Sequence, residues 1–93
     1  MPIAAHNIEQ AVLAAIEFFN KIYAQSNLRG VLLEEVRERD ANHWDVTIGY
    51  SELEQDQPPM TALTNGAKYR RVYKVLTVEK ETAAVVSMVI REI

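Results

Sequence analysis

Apolar and polar residues alternate most cleanly from Trp44 to Ser51, where Trp44, Val46, Ile48 and Tyr50 fall on one side of an extended chain and Asp45, Thr47, Gly49 and Ser51 on the other. That alternation predicts a strand with one buried face. Two further runs rich in β-branched and aromatic residues, Tyr69 to Val78 and Ala84 to Ile90, flank the polar segment Glu79-Lys80-Glu81-Thr82 and read as a long antiparallel hairpin. Upstream the spacing becomes helical. Ile8, Val12, Ala15, Ile16, Phe19, Ile22 and Tyr23 recur three and four residues apart, with Glu9, Gln10, Glu17, Asn20 and Lys21 opposite them. Asn7 is a good N-cap residue, and Gln10 can bond back to the cap, so a helix should start there. Glu17 and Lys21 form a favourable i,i+4 pair on its polar side, and Ser26 and Asn27 place its end near Gln25.

Between these elements, Leu28 to Arg39 is ambiguous by pattern alone. Leu28, Leu32 and Val36 have helical spacing, but Gly30-Val31-Leu32-Leu33 lacks a helix start signal. The turn Asp40-Ala41-Asn42-His43 leads straight into the alternating strand, which needs a neighbour, so the preceding segment is read as its antiparallel partner. If Val31, Leu33 and Val36 all face the core, the period slips by one residue around Glu34-Glu35, and a β-bulge would absorb the slip. From Glu52 to Ala67 the composition shifts to acidic and amide residues with Pro58, Pro59 and Asn65-Gly66, which reads as an exposed, mobile loop. The expected fold class is α+β. Residues 1–93 form a single domain, with one N-terminal helix packed on a four-stranded antiparallel sheet in the order α-β-β-β-β and a flexible loop at about 52–67.

That order resembles the cystatin-like architecture, in which an antiparallel sheet wraps one N-terminal helix. Leu32-Leu33-Glu34-Glu35-Val36, Trp44-Asp45-Val46-Thr47-Ile48-Gly49-Tyr50 and Tyr73-Lys74-Val75-Leu76-Thr77-Val78 also look like segments of small uncharacterised bacterial proteins of that shape. Cystatin inhibitors enter a cysteine protease through a Gln-x-Val-x-Gly hairpin, and no such pentapeptide occurs here. The two available hairpin tips, Asp40 to His43 and Glu79 to Thr82, are polar and charged, so protease inhibition is not carried over with the shape.

Composition narrows the function classes. Ninety-three residues with 48% hydrophobic and 25% charged side chains suit one folded core. The net charge of −3 argues against a general nucleic-acid binder, whose affinity comes from neutralising phosphates. The chain contains no cysteine, which removes disulfides, thiol nucleophiles and thiolate metal ligands together and suits a cytoplasmic location. No basic region leads into an apolar stretch near Met1, and no apolar run is long enough to span a bilayer, so neither export nor a membrane partner is expected.

No catalytic, cofactor or metal site is expected either. His6 and His43 come from different segments, and His43 with Asp40 or Asp45 falls short of a ligand set. Glu34 and Glu35 point to opposite faces of a strand unless a bulge re-aims one, so they read as surface charges rather than an acid/base pair. Ser26, Ser51 and Ser87 lack a nucleophile context, and Gly30, Gly49 and Gly66 are isolated rather than clustered as in a phosphate loop.

Two features remain. Tyr69, Arg71 and Tyr73 share one face of their strand, opposite Arg70 and Lys74; such a surface could stack bases, contact a protein, or pair with the acidic first strand. In the last strand Ala84, Val86, Met88 and Ile90 make one apolar face, but Val85 and Val89 make the other apolar too, and one helix covers only one side of a sheet. Leu13 and Phe18 add apolar surface at the helix edges. These features predict a non-enzymatic interaction domain, a homodimer joined through its second sheet face, with Tyr69, Arg71, Tyr73, Val85 and Val89 as the candidate interface. The alternative is a ligand-binding or enzymatic module with a pocket between helix and sheet lined by Phe19, Tyr23, Trp44 and Tyr50.

Overall fold

The computed structural model describes residues 5–26, 28–53 and 69–92. Helix α1 (Ile8–Ile22) is followed by strands β1 (Arg29–Asp40), β2 (His43–Leu53), β3 (Tyr69–Glu79) and β4 (Val85–Ile90). The strands pair antiparallel in the order β1-β2-β3-β4, an up-and-down sheet consistent with the cystatin-like layout.

The helix begins at its cap. Asn7 Oδ1 accepts the Gln10 N–H at 2.9 Å, a bond that contributes about 1 kcal/mol in such positions. Gln10 reaches back as expected, but its side-chain oxygen takes the N–H of His6 at 2.9 Å rather than that of Asn7. The helix stops at Ile22, before Gln25, because the chain leaves through a turn in which the Ser26 N–H bonds the Tyr23 carbonyl at 3.0 Å. Its contact line also differs from the expected stripe. Ala11, Ala15 and Phe19 are buried, whereas Ile8, Ile16 and Ile22 are exposed. Small alanines let the helix axis lie close over β2 and β3, and the isoleucines overhang its flanks.

On β2 the alternation reads directly into structure. Trp44, Val46, Ile48 and Tyr50 are buried beneath the helix, joined by Leu76 and Val78 of β3. The bulge expected around Glu34-Glu35 is present: Leu33 pairs with Ile48 and Glu35 with Thr47, leaving Glu34 as the extra residue. Leu33 and Val36 therefore share the helix side of the sheet, where Val36 packs against the core and Leu33 stays exposed. A second bulge changes β4. Ser87 pairs with Thr77 but Val85 with Val78, so Val85 turns to the helix side and packs on the core while Val86 is exposed. Val85 thus lies on the face opposite to the one expected, and Val86 is the extra residue of the bulge.

β2 continues through Glu52 and Leu53, further than the loop expected from Glu52, and the rest of that loop lies outside the described residues. At the opposite end the two hairpins are tied together. The Lys80 N–H bonds the Asn42 carbonyl at 2.9 Å, and the Ala5 N–H bonds the Lys80 carbonyl at 2.8 Å. The described residues form two layers, helix and sheet. Among the described residues no helix is long and apolar enough to cross a membrane.

Candidate functional site

The side of the sheet away from α1 is built from the second set of alternating positions. Asp45, Thr47, Gly49 and Ser51 of β2 stand opposite Thr77, Val75, Tyr73 and Arg71 of β3. β1 contributes Arg29, Leu32, Glu35 and Arg37 by register, and β4 contributes Ser87 and Val89. Leu32 is 57% exposed and Val89 54%, so apolar surface faces outward there as well as under the helix.

Arginine dominates the charge of this face. Five of the six arginines lie on it, Arg29, Arg37, Arg39, Arg71 and Arg91, placed there by register or by their partners, while Arg70 pairs with Glu52 on the other side. Lys74 and Lys80 both belong to the helix side. Arg71 is fully engaged. It donates to the Gly30 carbonyl at 2.7 Å, to Ser51 Oγ at 3.2 Å and to Glu34 Oε2 at 2.9 Å, and the Glu34 carboxylate holds the guanidinium charge more firmly than usual. Two glycines make this arrangement possible. Gly30 sits at φ +59°, which bends β1 so that its carbonyl meets Arg71, and a Cβ at Gly49 would run into the Glu34–Arg71 pair lying across it.

The second group lies toward the β1–β2 hairpin. Asp45 is buried and accepts the Thr77 hydroxyl at 2.8 Å, with Arg37 and Arg39 standing 4.0 and 3.9 Å away. Arg91 reaches over the face from the end of β4 to Glu35 at 2.9 Å and to Thr47 Oγ1 at 3.4 Å. Between these groups runs an open groove of about 430 Å³ floored by Val75 and Val89.

Of the expected interface residues, Tyr69, Arg71, Tyr73 and Val89 come together on this face, with Arg29 stacked on Tyr69 at 4.9 Å and Arg71 over Tyr73 at 5.9 Å. Val85 does not join them, for the reason given by its bulge. The link of Arg71 to the acidic first strand is realised within the sheet itself, through Glu34. Glu34 and Glu35 do share a face, because the bulge re-aims one of them, but each carboxylate is held by its own arginine. His43 Nδ1 lies 3.0 Å from Asp40 Oδ1, and Asp40, which also accepts the Asn42 N–H, is held below the usual carboxylate range by these bonds. Leu13 and Phe18 line a separate groove of about 400 Å³ between the helix and Val85.

Of the four residues expected to line an internal pocket, Phe19, Trp44 and Tyr50 are buried in the core and Tyr23 is half-buried against it. Phe19, Tyr23 and Tyr50 stack with ring centroids 4.7 to 5.8 Å apart, filling the space between helix and sheet. Trp44 lies further along, its Nε1–H donating to the Ala5 carbonyl at 2.7 Å. Burial, and then the neighbouring Tyr23 hydroxyl, push the ionisation of Tyr50 above its ordinary value of 10.0. The folded chain holds Tyr50 neutral while the unfolded chain can ionise it, so stability should fall as pH rises past about 10. Urea titrations across that range should show a smaller fall in Tyr50→Phe; an equal fall would place the alkaline sensitivity elsewhere. No family model matches the chain, and comparison with curated proteins and with solved structures finds no match.

Proposed function

We propose that the chain is a non-enzymatic protein-interaction domain that works in the cytoplasm and self-associates through the open face of its sheet. The observation that carries this reading is the exposure of Leu32 and Val89 on a side of the sheet that no described element covers. Four strands about 4.8 Å apart, of 12, 11, 11 and 6 residues, present roughly 600–700 Å² in projection, close to the ~800 Å² per partner that stable interfaces bury. Tyrosine and arginine, the polar residues most enriched at interfaces, furnish the rest of it. Gel filtration with light scattering should return twice the chain mass at micromolar concentration. Leu32→Asp with Val89→Asp should return the mass of one chain with an unchanged circular dichroism spectrum. A wild-type chain that remains a strict monomer overturns the reading.

A further inference from the structure

We infer that the hairpin end of the open face is a docking cleft for an acidic peptide segment, with Arg37 and Arg39 taking its carboxylates. The inference deepens the reading of this face as an interaction surface and rests on it.

Arg37 and Arg39 both carry their guanidinium groups over the open face, where each stands near Asp45. Their nearest anion is Asp45, but that carboxylate is buried and anchored by Thr77, and both guanidiniums stand beyond hydrogen-bond length from it. Among the described residues the Arg37 side chain makes no hydrogen bond, and that of Arg39 makes one, to Thr77 Oγ1 at 3.3 Å. Their side chains are 69% and 54% exposed. Two planar forks with nearly all their donors free thus share a single buried carboxylate. Of the other ionic groups nearby, Arg91 is held by Glu35 in the groove, and at the hairpin ends Asp40 is bonded to His43 and Glu79 accepts the Thr82 hydroxyl. Guanidinium forks bind carboxylates through paired, charge-assisted hydrogen bonds, so an Asp or Glu side chain is the complement.

The groove beside them favours a peptide over a lone anion. At about 430 Å³ it is far larger than one carboxylate, and its floor of Val75 and Val89 is apolar. An extended peptide that places one side chain on the arginines sets the residue two positions on over the valines. A nucleic-acid strand fits less well, since the rings that would stack on bases, Tyr69 and Tyr73, already carry Arg29 and Arg71 over them.

The test is an amide and arginine-Nε NMR titration of the intact chain with a glutamate-rich hexapeptide, its glutamine counterpart, inorganic phosphate and a single-stranded oligonucleotide. The acidic peptide should shift Arg37, Arg39, Asp45 and Thr77 saturably and more weakly as salt rises, and the glutamine peptide should not. R37Q/R39Q, which alters only exposed side chains, should weaken binding about tenfold or more, with Arg39→Lys intermediate. The inference is overturned if the acidic peptide leaves those resonances unmoved, if R37Q/R39Q binds it equally, or if phosphate or the oligonucleotide binds as tightly. Peptide binding by a chain that stays monomeric would sink self-association alone, and a dilute, monomeric chain that ignores the peptide would sink the cleft alone.

Discussion

Replacing Trp44 by alanine should lower the unfolding free energy by about 3–5 kcal/mol, a large part of what a small domain possesses. The residue is 8% exposed and opens the buried side of β2, so truncation leaves a cavity against Val78 and beneath the start of the helix. It also removes the indole donor of the Ala5 carbonyl and the ring on which Lys80 Nζ rests 5.0 Å from the centroid. Ala5 is the point at which the chain before the helix is pinned to the β3–β4 turn, so this end of the molecule should loosen as a unit. Urea unfolding measures the loss. A near-wild-type midpoint would mean that the buried and open faces of the sheet have been assigned the wrong way round.

Phe19→Ala should cost a similar 3–5 kcal/mol, while Phe19→Leu should cost less than about 2. Phe19 is the hinge of the ring cluster, touching Tyr23 on its own helix and Tyr50 on β2, so it is where helix and sheet are joined. For a domain of this length the alanine variant should melt more than about 12 °C lower, as calorimetry would show. A small shift for alanine would indicate that Ala11 and Ala15 hold the helix without the ring.

The strands were legible where local pattern and burial coincide. β2 alternates in sequence because it lies in the middle of the sheet with one face covered, and Trp44, Val46, Ile48 and Tyr50 could be assigned to that face from spacing alone. The bulge at Glu34 was legible too, since Leu33 and Val36 share a face only if the period slips between them. The bulge at Val85-Val86 was not. Both positions are valine, so the apolar pattern is the same whichever of them faces the helix, and only pairing with Thr77 and Val78 decides it. The helix contact line departs from the hydrophobic stripe for a related reason: Ile16 and Ile22 are more hydrophobic than Ala11 and Ala15, but close approach to a sheet selects small residues.

The open face was only partly visible. Tyr69, Arg71, Tyr73 and Val89 could be grouped by alternation, but Arg37, Arg39 and Arg91 join them only through register between strands distant in sequence. Gly49 carries a signal of its own in the sequence. An isolated glycine in the middle of a well-patterned strand marks a place where something lies close against the backbone, here the Glu34–Arg71 pair.

The central claim is that this face is where the chain meets its own copy. Methyl NMR with a soluble paramagnetic probe, run on dilute and on concentrated protein, tests it most directly. The methyls of Leu32 and Val89 should be relaxed strongly when dilute and shielded when concentrated, while those of Leu13, Ile16 and Leu33 on the helix side remain equally accessible. Shielding that appears on the helix side, or on neither side at any concentration, would contradict it.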